Sequence, residues 1–74
     1  MQIFVRDRRT IVLIVEPTDT VLSVMEQIWD REGIHPKYLL LTHGGQVLLK
    51  DRTLASYGIE KEQTILYRIR HVTA

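Results

Sequence analysis

A chain of 74 residues has room for one small domain, and its apolar fraction of 45% is sufficient for a hydrophobic core. The sequence has no cysteine, which excludes disulfide bonds and cysteine-ligated zinc, and no apolar run approaches the roughly 20 residues of a membrane span. Its net charge of +1 is small for a general polyanion-binding protein. We expect one domain over residues 1–74, without membrane contact, in the cytoplasm or the nucleus.

The first two predicted elements are β-strands. MQIFV alternates, with Met1, Ile3 and Val5 on one face. TIVLIV is a β-branched, apolar run that places Ile11, Leu13 and Val15 on one face of a second strand. A short polar break at residues 7–9 separates the two runs. Two strands around such a break predict a hairpin, and because the break has no glycine its turn type stays open.

The third predicted element is an amphipathic helix. Pro17 ends the second strand, and the hydroxyl of Thr20 can accept from the free amides of a helix's first turn. Between Val21 and Ile28, apolar residues recur at the i, i+3, i+4 and i+7 spacing of one helix face. Gly33 is suited to the position just past the helix end.

Three further strands are predicted in LLLTH, QVLL and QTILYRIRHV. A Gly-Gly turn joins the first two, and the loop KDRTLASYGI, with one helical turn, precedes the last. Ile65, Tyr67 and Ile69 are expected on one face of the last strand. The order is β-β-α-β-β-β, and parallel strands need the helix as their crossover. We expect an α+β roll with one helix across one face of a mixed sheet.

Four fragments also carry a resemblance to a known family. They are MQIFV at the start, VEPTDT before the helix, REGI after it, and RTLASYGIEKEQTI near the end. In this order and spacing they resemble ubiquitin over essentially the whole chain, although the first hairpin is two residues shorter. The resemblance implies the β-grasp fold. It also implies that Asp51, Arg52 and Tyr57 order the loop before the last strand, with the Tyr57 hydroxyl tying it down.

The resemblance implies one of two functions. Ubiquitin-like chains are either modifiers joined to lysines through a C-terminal Gly-Gly, or integral domains that bind partners without conjugation. Thr73 and Ala74 stand where the two glycines should be, and a β-branched threonine is stiff where the conjugating enzymes need bare backbone. We therefore expect a non-conjugated interaction domain, the N-terminal domain of a larger protein, in ubiquitin/proteasome-related or regulatory pathways. The alternative is a divergent modifier whose Gly-Gly tail is absent from this chain.

The resemblance also locates the family's main binding patch. It places Thr42, Leu66 and Arg68 at positions that are part of the apolar patch in ubiquitin. A receptor helix that covers this patch would have to desolvate Arg68 without a matching acid, which is unfavourable. Ordinary ubiquitin receptors are therefore expected to bind this chain poorly.

A different set of residues on the outer sheet face is predicted to bind partners. Phe4, Val12 and Ile14 form an apolar patch there, and Leu66 flanks it from the last strand. Nearby arginines supply a polar rim that attracts acidic partners. The predicted partner-binding residues are Phe4, Arg6, Val12, Ile14, Thr42, Leu66, Arg68 and Arg70. Their partners are expected to be proteins with acidic surfaces or a neighbouring domain, with weak self-association as a further use of the patch.

Two smaller apolar groups are also predicted. Leu22 and Trp29, seven positions apart, share a shoulder of the helix beside the core stripe, and Trp29 is expected to pack against Tyr38. The other group, near the base of the tail, consists of Ile34, Leu40 and Val47.

No catalytic residue, cofactor or metal site is expected. The chain has no acid–base pair in an evident cleft, and its three histidines lack metal-ligand spacing. Nucleic-acid binding is a disfavoured third hypothesis, because the net charge is small and Phe4 is the one stacking ring near the arginines. That hypothesis requires five arginines to converge on one side of the sheet: Arg6, Arg8, Arg9, Arg68 and Arg70.

Overall fold

The computed structural model describes residues 1–70. In chain order, the strands and the helix are β1 Gln2–Arg6, β2 Thr10–Ile14, α1 Val21–Glu32, β3 Leu39–His43, β4 Gln46–Val47 and β5 Thr64–Ile69. Short 3-10 turns lie at Pro36–Tyr38 and Ala55–Tyr57. This confirms the predicted element order and the helical turn expected in the loop before the last strand.

The five strands form one mixed sheet in the order β2-β1-β5-β3-β4. β1 and β2 pair antiparallel as the predicted hairpin, and β3 pairs antiparallel with both β4 and β5. β1 and β5 run parallel at the centre, although they are first and last in the chain. The α+β roll expected from the sequence is confirmed. No helix within residues 1–70 is both long and apolar enough to cross a membrane.

α1 begins and ends at the predicted caps. The Thr20 Oγ1 atom accepts from the Ser23 N–H at 3.2 Å, which satisfies a free amide of the first turn. Gly33 has a φ of 71°, in the left-handed region, and its N–H donates to the Trp29 carbonyl at 2.8 Å. The buried stripe of the helix consists of Val21, Val24, Met25 and Ile28.

The core fills the space between α1 and the inner face of the sheet. The strands contribute fully buried side chains such as Ile3, Leu13 and Ile65, and the segment after β4 adds Leu54 and Ile59. Every buried side chain among residues 1–70 is apolar or is that of Tyr67. The packing leaves the other sheet face free of helix, so the outward side chains of the strands are available for contacts.

The hairpin turn closes without glycine. The Asp7 N–H donates to the Arg9 carbonyl at 3.2 Å, and the Arg9 guanidinium crosses to Glu32 in the last turn of α1. The Arg9 Nε and Nη2 atoms lie 3.0 Å and 2.6 Å from the Glu32 Oε1 atom. A carboxylate at a helix C-terminus is unfavourable with the helix dipole, and the arginine compensates for it. The ion pair therefore fastens the hairpin tip to the helix.

One strand prediction is wrong in detail. The strand expected over QVLL stops at Val47, because the Leu49 N–H donates to the Tyr57 hydroxyl at 2.8 Å instead of continuing the ladder. The same bond shows that Tyr57 ties the loop down, as the resemblance implied. Ile69, predicted on one face with Ile65 and Tyr67, is 50% exposed because it is the last residue of β5. The predicted extension of this strand into residues 71–72 lies outside the described residues.

Candidate functional site

The outer face of the sheet carries the side chains that alternate with the core. The strand register sets them in rows, since residues paired across strands project on the same side. One row consists of Val12, Phe4 and Thr64. The adjacent row consists of Thr10, Arg6, Leu66, Thr42 and Val47.

The structure brings together three of the predicted binding residues as a patch at one edge of this face. Phe4 lies directly opposite Val12, and Ile14 is two positions further along β2, opposite Gln2. Val12 is 40% exposed and Ile14 65%, while Phe4 is half-buried. β2 is an edge strand of the sheet, so the patch reaches the border of the molecule. We call Phe4, Val12 and Ile14 the hairpin patch.

Leu66 belongs to a second group on the same face. Its neighbours in the row are Arg6 on β1 and Thr42 on β3, whereas the β5 neighbour of Phe4 is Thr64. A shallow depression of 440 Å³ is lined by Arg6, Thr42, Leu66 and Arg68, and Asp7 and Leu40 also contribute to its lining. We call the first four of these residues the arginine-flanked depression. Leu66 is thus one row away from the hairpin patch, with Arg6 beside it.

Tyr67 lies under the arginine-flanked depression, on the core side of β5. Its side chain is almost fully buried, and burial raises the pKa of its phenol. The negative charges of Glu32 and Asp7 raise this pKa further. Tyr67 therefore stays neutral at physiological pH and serves as a packing residue beneath the exposed arginines.

The arginines do not converge on one side of the sheet. Arg9 is bound to Glu32 on the helix, and the hydrogen bond and charge of that carboxylate raise the pKa of Arg9. Arg70 follows the end of β5, where its N–H donates to the Tyr38 carbonyl at 2.6 Å. The five arginines therefore do not form the single cluster that the nucleic-acid hypothesis requires. It fails because the short hairpin brings Arg9 within reach of α1.

A second surface lies between α1 and the strands β3 and β4. Leu22 and Trp29 line it from the helix, and Val47 and Leu49 line it from β4 and the residues after it. All four are more than a third exposed. Its floor consists of the buried side chains of Met25, Leu39, Leu41 and Leu48. The resulting open groove has a volume of 560 Å³, and we call it the helix–strand groove.

Trp29 packs on His35 instead of directly on Tyr38. The Trp29 and His35 ring centroids are 4.5 Å apart, and the His35 and Tyr38 centroids are 6.4 Å apart. The His35 Nδ1 atom accepts from the Lys37 N–H at 3.1 Å, which fixes this ring between the other two. Trp29 nevertheless remains 46% exposed at the groove.

The groove was not predicted from the sequence as one surface. Leu22 and Trp29 were predicted on a helix shoulder, and Leu40 and Val47 in another group with Ile34. Leu40 and Val47 line the groove, while Ile34 packs against the core. The seven-residue spacing of Leu22 and Trp29 was the available signal, but it does not reveal which strand lies beside the helix.

The described surfaces offer apolar area and charge for docking. Within residues 1–70, no group of three or more histidine, aspartate and glutamate side chains is arranged to hold a metal ion. The hairpin patch and the groove are both lined mainly by side chains without acid–base chemistry. The geometry is therefore suited to contacts with other macromolecules.

Comparison with known proteins agrees with the fold. The model of the ubiquitin family matches residues 3–71. A relative from Dictyostelium discoideum, ubiquitin-like protein NEDD8, is 33% identical over 46 residues. The aligned segment covers 62% of this chain and 60% of that relative, which is less than two thirds of the relative's length. With the five-stranded sheet and its single long helix, the match over nearly the whole chain establishes that this protein belongs to the ubiquitin family.

Proposed function

We propose that this chain is a non-conjugated ubiquitin-like domain, part of a larger protein, that binds protein partners through the outer face of its sheet. It acts by docking and not as an enzyme, in ubiquitin/proteasome-related or regulatory pathways of the cytoplasm or nucleus. The observation that carries the proposal is the juxtaposition of the hairpin patch with the arginine-flanked depression on one open sheet face.

The hairpin patch supplies the apolar part of the docking energy. Fully burying a valine or isoleucine side chain is worth about 1.5–3 kcal/mol, and much of this is offset by the loss of freedom on association. Val12 and Ile14 are the most exposed members of the patch. Two such side chains and the half-buried Phe4 support weak binding, with a dissociation constant on the order of micromolar.

The arginine-flanked depression supplies the charge preference. Among residues 1–70, neither Arg6 nor Arg68 forms an ion pair, and Asp7 is the acidic residue that lines the depression with them. A partner that covers Leu66 must also cover these two guanidinium groups, so it needs carboxylates at matching positions. The partner surface is therefore acidic around an apolar centre.

The tail residues support the non-conjugated part of the proposal. Thr73 and Ala74 stand at the positions of the family's two glycines, and both carry a side chain. Both residues lie outside the described part of the chain, and their identity alone supports the proposal.

Substitutions on the sheet face test the docking proposal. We expect Ile14→Glu and Arg68→Glu each to weaken binding of the proteins retained by the wild-type chain by about tenfold or more, which corresponds to about 1.4 kcal/mol. Ile14→Glu removes apolar contact area, whereas Arg68→Glu repels an acidic partner. The measurement is quantitative affinity capture followed by calorimetry with each retained protein. Thr18→Glu, at an exposed turn position, is the matched control.

Unchanged affinities in both sheet-face variants would remove the sheet face as the docking surface. Self-association has a separate readout, because analytical ultracentrifugation of the wild-type chain and of Ile14→Glu shows whether the hairpin patch joins two copies. A dimer abolished by Ile14→Glu would mean that the patch is already occupied before a partner binds.

A further inference from the structure

The helix–strand groove has the features of a binding site distinct from the hairpin patch. Leu22, Trp29, Val47 and Leu49 leave between 38% and 53% of their surface exposed while surrounding a buried apolar floor. Four large apolar side chains around one concave surface form a patch of the kind that marks interaction sites, unlike apolar residues scattered singly. None of the four belongs to the hairpin patch.

The length of the groove matches a particular kind of ligand. Leu22 and Trp29 are seven positions apart on α1, which corresponds to about 10.5 Å along the helix axis. An amphipathic helix presents its apolar anchors at the same i to i+7 distance when it lies beside such a wall. The open shape, 560 Å³ without a closed rim, suits the side of a helix better than an enclosed small molecule.

Charged residues of both signs line the groove, with Glu26 of α1 as the acidic one. Lys37, Lys50 and Arg70 line it, and none of them forms an ion pair with an acid within residues 1–70. Lys37 lies over the Tyr38 ring at 5.0 Å, a contact that leaves its charge in place. Negative charge lies on the α1 side, where Glu26 and Asp30 flank Trp29.

We propose that the helix–strand groove is a second docking site, and that its occupant is an acidic amphipathic helix of a protein partner. The apolar stripe of this helix packs between Leu22 and Trp29 on one side and Leu49 on the other. Its carboxylates face Lys37, Lys50 and Arg70. The positions of these charges also set the orientation of the partner helix, because its acidic side must point away from Glu26 and Asp30.

A second copy of the chain is a poor occupant on electrostatic grounds. In a twofold dimer the same groove would face itself, so the lysines and Arg70 of one copy would lie near those of the other. Like charges placed together across an interface are destabilising. Insertion of the hairpin patch from another copy would bring the neighbouring Arg6 towards the same cations.

The test is a selection of displayed helical peptides of about 18 residues, five turns long, with randomised sequence and no tryptophan. We expect enriched peptides to combine an i, i+4, i+7 apolar stripe with net negative charge. Trp29 is the single tryptophan of the chain, so its fluorescence reports binding of each synthesised peptide. Closure over Trp29 should shift its emission to shorter wavelength.

Substitutions of one apolar and one charged groove residue test whether the peptides bind in the groove. We expect Leu49→Glu and Lys50→Glu each to weaken peptide binding about tenfold or more, whereas Ile14→Glu on the hairpin patch retains wild-type affinity. Both groove positions are exposed, so the variants should fold, which circular dichroism checks. The proposal is overturned if no peptide is enriched, if the enriched peptides are basic, or if they bind without changing Trp29 emission. A Trp29 shift that depends on protein concentration, with dimerisation in the ultracentrifuge, would assign the groove to a second copy instead.

Discussion

Single residues decide which partners the sheet face can accept. Thr42 lies opposite Leu66 on β3, and Arg68 lies opposite Leu40 one row further along. An apolar helix laid over Leu66 would bury the Arg68 guanidinium without a counter-charge, which costs more than the leucine contact contributes. Under the docking proposal, Arg68 disfavours an apolar receptor helix and favours a partner that carries a carboxylate. The proposed specificity therefore comes from a repulsive element as much as from an attractive one.

Burial raises the pKa of the Tyr67 phenol, and this single residue therefore gives a prediction about stability at high pH. The unfolded chain loses this proton near pH 10, while the folded chain keeps it to higher pH. The free energy of unfolding should thus be unaffected by this group below about pH 10 and fall as the pH rises through the folded-state pKa. We expect Tyr67→Phe to lose less stability than the wild type between about pH 8 and pH 11 in urea unfolding. Tyr38→Phe, which alters a half-buried surface tyrosine, should lose as much as the wild type, and equal losses in all three proteins would contradict the prediction.

At the scale of elements, local signals were predictable from the sequence and long-range register was not. The limits of α1 could be predicted because Thr20 and Gly33 act within one turn of the helix. The parallel pairing of β1 with β5 sets Phe4 opposite Thr64, and nothing in either strand specifies that register. Leu66 was consequently expected closer to the hairpin patch than one row away.

The helix–strand groove was missed for the same reason. Its two sides come from residues 22–29 and 47–49, which are brought together only by the packing of α1 over the sheet. Periodicity identifies the exposed shoulder of a helix but does not identify its neighbour. The shortened β4 adds to the difficulty, because Leu49 leaves the ladder through its bond to Tyr57, a contact eight residues away in the chain.

The N-cap of α1 gives a prediction about the stability of a single element. Thr20→Ala removes the hydroxyl that accepts from the Ser23 N–H, so we expect the free energy of unfolding to fall by about 1 kcal/mol. In a domain of this size that loss lowers the melting temperature by about 4–8 °C. Differential scanning calorimetry measures it. Thr18→Ala, at an exposed turn position, should stay within about 0.5 kcal/mol of the wild type, and an equal effect of both substitutions would argue against the cap.

At the scale of the whole molecule, the fold presents two candidate surfaces that differ in the elements that build them. The hairpin patch with the arginine-flanked depression lies on the outer sheet face, while the helix–strand groove is built on α1 and the strand edge. Both combine apolar area with positive charge, so acidic partners are proposed for both. Leu40 lines both the depression and the groove, so the two surfaces adjoin each other across β3.

Whether the domain is itself a modifier is decided by its chemistry with the activating enzymes. Conjugation begins with an adenylate and a thioester at a terminal glycine, and Thr73 and Ala74 carry side chains at the corresponding positions. With ATP and purified ubiquitin-family activating enzymes, we expect this chain to form no reducible thioester, while ubiquitin, assayed in parallel, does.

A double variant with Thr73→Gly and Ala74→Gly tests whether the side chains of the tail prevent activation. If this variant is activated and the wild type is not, the two side chains prevent conjugation in an otherwise competent fold. If neither is activated, the surface that an activating enzyme recognises has also diverged. A thioester formed by the wild-type chain would show that a β-branched residue is tolerated there and that the domain is a modifier.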